Sequence, residues 1–226
     1  MKISTWNRYY LVSLLYVVLS IVIGLFLEDG LILFLGWNMI LATLVLALTH
    51  LMSVLKNKSN YPMIEYIVLL FWILFFPNAL YITSDLIHFQ NYTFFTAYPS
   101  LYAFDLTVWI VFTHILLGAI YSAKMGIKSL HIMLYLWKDK LSFQTTLIFL
   151  NGLFILSSLG IYIGRFLRFN SWQFYQVFSI FKELLNNVLF MLVFVGLYFA
   201  IHWAFYIFLK EHQIIKNSID IQKEEI

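Results

Sequence analysis

Residues 66–88 read YIVLLFWILFFPNALYITSDLIH. The first eleven carry no charge, and the next twelve add a proline, an amide, a phenol, a carboxylate and an imidazole to the same run. An unbroken apolar stretch without period-two alternation reads as a membrane span, because a hydrocarbon layer about 30 Å thick takes roughly 20 helical residues. In lipid the backbone must satisfy its own hydrogen bonds, so a segment that cannot be a barrel strand is a helix. The polar residues at its end then need a reason to lie near membrane depth.

The rest of the 226-residue chain has the same character. It is 62% hydrophobic and 11% charged, with mean hydropathy +0.86, whereas about 25% of a soluble domain is charged. Six apolar runs are predicted as helices: Tyr10 to Leu27, Leu31 to Ser53, Met63 to Ile82, Leu101 to Tyr121, Phe143 to Ile163 and Leu184 to Leu209. The fold class is an all-α integral membrane protein, a bundle of about six transmembrane helices in one domain over residues 1–209, with a polar tail at 210–226. The opening MKISTWNRYY has the basic start of a signal peptide, but the run ends in the bulky GLFLEDG with no small-residue cleavage site. It reads as an uncleaved first span. Between the fourth and fifth runs, AKMGIKSLHIMLYLWKDK sets Lys124, Lys128, His131 and Lys138 among apolar residues. That pattern fits either a short interfacial helix or a cytoplasmic extension of span four. FNSWQFYQVFSIFKELL, at 169–185, has the same interfacial character.

The net charge of +3 is spread over the loops, which leaves a nucleic-acid partner without support. The absence of cysteine excludes disulfides, thiolate metal sites and cysteine nucleophiles. With the N-terminus cytoplasmic, eleven lysines and arginines fall on the cytoplasmic side and three, Arg165, Arg168 and Lys182, on the other. The positive-inside rule therefore predicts that both termini are cytoplasmic in a multi-pass cell-membrane protein.

In this topology the polar end of span three faces outward. At 100° per residue Asn78, Tyr81 and Asp85 share one helix face, while Thr83 and Ser84 point elsewhere. Pro77 removes a backbone donor and should free carbonyls near Ile73 and Leu74. Span four places Tyr98, Tyr102, Asp105 and Trp109 on one stripe, with Asp105 about one turn below the outer interface. A carboxylate there needs a partner, since a central one costs about 2.5–3.5 kcal/mol on insertion scales. Span five ends SSLGIYIGRFLRFNSW. Gly160 and Gly164 form a small-xxx-small pair for close helix approach, followed by Arg165 and Arg168. A guanidinium on the charge-poor side fits the binding of an acid or a phosphate there.

Three blocks carry a family resemblance: FPNALYITSDLIHF, YAFDLTVW and GIYIGRFLRFNSW. They resemble the signatures of a bacterial membrane family known as domain of unknown function 1361, with Pro-Asn-x-x-Tyr-x-x-Thr-Asp-Leu, an Asp in the fourth span, and Gly-x-Tyr-x-Gly-Arg-Phe-x-Arg-x-Asn-Ser-Trp. Ser84 stands where the pattern has Thr, and a hydroxyl is kept. The resemblance implies a polytopic membrane protein and puts weight on Asn78, Tyr81, Asp85, Asp105, Arg165, Arg168, Asn170 and Trp172 as binding residues, with Pro77, Gly160 and Gly164 structural. It implies no reaction.

Plainer readings stand beside these. An Asp105 pair with Arg165 or Arg168 could lock three helices, and buried ion pairs fix register more than they stabilise. Tyr98, Tyr102, Trp109 and Trp172 suit an interfacial aromatic belt. His88 could share a metal with Asp85 and Asp105, but no third strong ligand is fixed, so no metal is assigned. No motif calls for a cofactor. His114 and His202, each inside a span, read as hydrogen-bonded helix contacts. Three function classes remain: a site for an anionic lipid-linked ligand, with Asp85 or Asp105 as candidate general base; a small transporter component; and a non-catalytic assembly partner. No signature of a known phosphatase, glycosyltransferase or metalloprotease is present, and no protein partner is indicated. Membrane lipids and an anionic lipid-linked ligand are the expected partners.

Overall fold

A computed structural model of the chain describes residues 3–58, 62–96, 101–169 and 186–209, with Tyr175, Lys182 and Leu184. The helices are α1 (Ile3–Phe26), α2 (Gly30–Lys58), α3 (Pro62–Phe75), α4 (Asn78–Ser84), α5 (Leu106–Leu136), α6 (Phe143–Tyr162) and α7 (Val188–Phe208). A 3-10 turn, Asp85–Asn91, continues α4, and a π turn, Ile163–Leu167, continues α6. Counting α3, α4 and the 3-10 turn as one interrupted span, six segments are long and apolar enough to cross a membrane. The protein is a multi-pass membrane protein.

The third span is broken where the proline predicts. α3 ends at Phe75, and the peptide of Phe76 and Pro77 turns before α4 begins. The Ala79 amide donates to the Phe76 carbonyl at 3.0 Å, and the Asn78 side-chain amide takes the Phe75 carbonyl at 2.9 Å. The carbonyl satisfied by a side chain is thus that of Phe75, later than Ile73 or Leu74. In a hydrocarbon environment this substitution is what makes the break tolerable.

The fourth span departs from expectation at its start, and at its other end takes one of the two expected forms. α5 starts at Leu106, and its N-cap is Asp105, whose carboxylate accepts the Thr107 amide at 2.9 Å. Residues 101–105 are not helical, so Tyr102 and Asp105 do not lie on a helical stripe with Trp109. At its other end α5 runs on to Leu136. The lysine-bearing segment is an extension of the span, and Lys128 is buried within it.

α2 is the central helix and packs against α1, α3, α4 and α5, while α6 pairs with α7. One core cluster gathers Trp72, Phe76, Leu80, Leu153, Phe154 and Ile161, and a second gathers Tyr16, Leu35, Met39 and Ile115. Short hydrogen bonds tie the helices where apolar packing alone gives no register. Ser20 meets His114 Nε2 at 2.8 Å under the stacked Tyr16 ring. The Trp72 indole donates to Ser129 Oγ at 2.7 Å, and Ser129 meets Thr49 at 2.6 Å. His202 meets Ser157 at 2.8 Å and the Tyr198 carbonyl at 2.7 Å. Both histidines are therefore held between helices.

Tyr92 closes the end of the bundle that carries the α1–α2 turn. Its hydroxyl donates to Asp29 Oδ2 at 2.5 Å, while Asp29 Oδ1 accepts the Leu31 amide at 2.9 Å. Burial, then the bond to Asp29 and the charge of Asp29, push the Tyr92 phenol above its ordinary range. The opposite end carries Lys56 paired with Glu65 at 2.6 Å and stacked over Trp137, with Lys138 and Lys140 beside it.

Candidate functional site

The broken span and the π turn meet. A Cβ on Gly160 would sit 2.7 Å from Pro77 Cγ, and one on Gly164 would sit 2.9 Å from the Tyr81 ring. The two glycines thus let α6 lie directly on the Pro77 break and on the first turn of α4. Just beyond, the π turn carries Arg165 toward the junction of α4 and the 3-10 turn.

Asp85, at that junction, is fully buried. Its Oδ1 pairs with Arg165 Nη2, and its Oδ2 accepts the Asn38 amide of α2 at 3.1 Å. Ser84 Oγ accepts Arg165 Nε at 3.0 Å and Nη2 at 2.6 Å. Arg165 Nη1 donates to His88 Nε2 at 3.1 Å. A guanidinium can only donate, so the His88 ring proton is on Nδ1. The guanidinium carbon lies 4.7 Å from the Tyr81 ring centroid, a cation–π contact. From α7, the Tyr198 phenol reaches the side chains of Thr83 and Ser84.

α4 and the 3-10 turn therefore hold Arg165 directly, while α2 and α7 hold its partners Asp85 and Ser84. Of the five N–H groups of a guanidinium, four have acceptors here, which leaves one Nη1–H open among the described residues. The Arg165 side chain is 14% exposed and Asp85 is 0% exposed. Such a pair is costly to break, because removing one partner leaves an uncompensated buried charge worth about 3–5 kcal/mol. His88, with a side chain 31% exposed and 3.8 Å from Asp85 Oδ1, is the group of the cluster that reaches the surface.

Arg168 is placed differently. It is exposed, adopts a left-handed backbone (φ 58°, ψ 28°) and terminates the π turn. Among the described residues no carboxylate pairs with it. An L-residue in this region costs roughly 1–2 kcal/mol, and strained positions of this kind gather at functional sites.

Of the residues expected to form the site, Tyr81, Asp85 and Arg165 are brought together. Asn78 turns back to the helix break, Pro77, Gly160 and Gly164 form the helix contact, and Arg168 is exposed at the end of the π turn. Asp105 is a correction: it is an exposed helix cap outside the cluster, since the helix that would have buried it starts one residue later. The metal set of Asp85, His88 and Asp105 is accordingly not assembled, and Arg165 lies between the first two. Ser84 is a second correction, because it was expected to face away and instead holds Arg165. Asn170, Trp172 and Tyr98 lie outside the described residues. Asn38 and Tyr198 belong to the cluster but were not singled out. The signal for Asn38 was its carboxamide in the apolar run GWNMILATL, where a polar group within a span calls for a partner.

The model of a family described as "Protein of unknown function (DUF1361)" matches residues 37–215, which takes in Asn38, the broken span and both arginines. No curated protein and no solved structure matches the chain.

Proposed function

We propose, for a chain that belongs to this family of unknown function, that it binds an anionic headgroup at the end of the bundle where the 3-10 turn and the π turn meet. The ligand class is a phosphate-bearing envelope lipid or glycolipid. Arg168 is its cation, and the Asp85–Arg165 pair is the strut that holds the site in shape. The observation that carries this reading is the contrast between the two arginines. Arg165 is neutralised by Asp85 and has four of its five N–H groups taken by Asp85, Ser84 and His88, whereas Arg168, three residues on, is exposed without a carboxylate among the described residues.

This assigns the residues differently from a clamp made of both guanidiniums. Asp85 is closed off by Arg165 and Asn38, so its support is for positioning rather than for general-base chemistry. His88 and the open Nη1–H of Arg165 are the polar groups beside which a phosphate oxygen would find donors.

The test uses purified protein in nanodiscs of zwitterionic lipid, titrated separately with a fluorescent phosphatidic acid and with inorganic phosphate. Arg168→Gly should weaken binding of the lipid about 10- to 100-fold, the worth of one charge-assisted bond of about 1.5–3 kcal/mol. Glycine accepts the left-handed backbone without cost, so thermal stability should hold or rise. Unchanged affinity in Arg168→Gly would remove the proposal. Binding of inorganic phosphate as tight as that of the lipid would identify a free anion rather than a headgroup as the ligand.

A further inference from the structure

Between the third span and the Asp105 cap of α5 the chain carries a hairpin with two described arms, residues 92–96 and 101–104. Residues 89–104 contain no Lys, Arg, Asp or Glu. Its two arms are joined by an antiparallel bridge at Phe95 and Tyr102, with the Thr96 amide bonded to the Leu101 carbonyl and the Ala103 amide to the Phe94 carbonyl, both at 2.8 Å. Successive side chains along an extended arm alternate between two faces. One face carries Phe94, whose ring packs on Phe89, Trp109 and Phe112 of the bundle. The other carries Phe95, Tyr102 and Phe104, which are 45%, 60% and 108% exposed, the first two rings lying 5.0 Å apart.

This polarity is inverted relative to a loop built for water. The arms pack Tyr92 and Phe94 against the bundle and turn Phe95, Tyr102 and Phe104 outward, with two backbone hydrogen bonds between them. Immediately after it, Leu106 and Trp109 at the start of α5 are also exposed, on a helix that itself crosses the membrane. The outward rings are thus continuous with a lipid-facing surface. Outward aromatic side chains suit the headgroup–acyl boundary, where amphipathic segments lie about 5–10 Å deep.

We infer that this hairpin is an interfacial foot: Phe95, Tyr102 and Phe104 insert into the leaflet at the α1–α2 end of the bundle, and the occupant of this aromatic face is bilayer lipid. The foot also has a positional consequence. Phe89, the residue after His88, packs on Phe94 and Phe112, so the depth of the hairpin fixes the height of the Asp85–Arg165 cluster relative to the membrane surface.

The chain has no cysteine, which makes a site-directed spin label direct. Phe104→Cys and Tyr102→Cys are labelled in the full chain and reconstituted into bilayers, with Asp139→Cys as the exposed polar reference. Collision with oxygen should exceed that with an aqueous nickel chelate at both hairpin sites, by several-fold relative to the reference. Nickel accessibility equal to that of the Asp139→Cys label would overturn the inference. So would shielding from both reagents, which would mean that a protein surface covers the hairpin. Because two positions are read, a misfolded variant at one leaves the other to decide.

Discussion

One buried carboxylate governs the cluster. Asp85 is fully buried and holds Arg165 and Asn38 on its two oxygens. Asp85→Ala should cost about 3–5 kcal/mol, because Arg165 would then be an unpaired cation at low exposure. Asp85→Asn keeps an acceptor for Arg165 and should cost less. Thermal denaturation of the two variants in detergent checks the order, and equal losses would contradict it. Gly164→Ala is a second probe. A methyl there would meet the Tyr81 ring at 2.9 Å, and overpacking of this kind costs about 1–3 kcal/mol. Because Tyr81 lies under Arg165, the same change should also weaken headgroup binding, whereas Gly152→Ala, inside α6 where a Cβ meets nothing within 4 Å, should leave binding unchanged and should not lower stability.

The broken third span is only partly legible in the sequence. Its break was legible, since proline removes the donor that a continuous helix needs. The orientation of Ser84 was not. Ser84 is the last residue of α4 and lies about 60° round the helix from Tyr81 at 100° per residue, close enough for the long Arg165 side chain to reach both Ser84 and Asp85. Which side chain arrives from another helix is not written in the local period. The start of α5 differs from the expected span for another reason. LYAF is as apolar as a helix, and hydropathy does not separate an aromatic hairpin from a span, but Asp105 followed by Thr107 and an apolar run is an N-cap signature. The break also makes a prediction. Pro77 has φ −52° and ψ −33°, angles that alanine adopts freely, so Pro77→Ala should cost about 1 kcal/mol or less. Asn78→Leu removes the donor for the Phe75 carbonyl and should cost about 1–3 kcal/mol. If unfolding measurements reverse that order, the amide is not what sustains the break.

At the scale of the whole molecule, the two ends of the bundle differ in charge and in aromatic content. One end carries Lys56, Lys138 and Lys140 around Trp137 and Tyr135. The other carries the neutral hairpin and the buried Asp85–Arg165 pair. Orientation in a membrane follows cationic residues in short loops, which stay cytoplasmic. A compensated arginine such as Arg165 presents little net charge to that rule, and so its position on the other side does not oppose it. The expected topology therefore puts the lysine-rich end inside and the headgroup site outside. In intact cells a membrane-impermeant maleimide should label Asn91→Cys, at the exposed end of the 3-10 turn, and should label Asp139→Cys only after the membrane is opened. The reverse pattern would place the cluster in the inner leaflet. The hairpin would then insert from the cytoplasmic side, and a ligand for Arg168 would have to be sought among inner-leaflet headgroups.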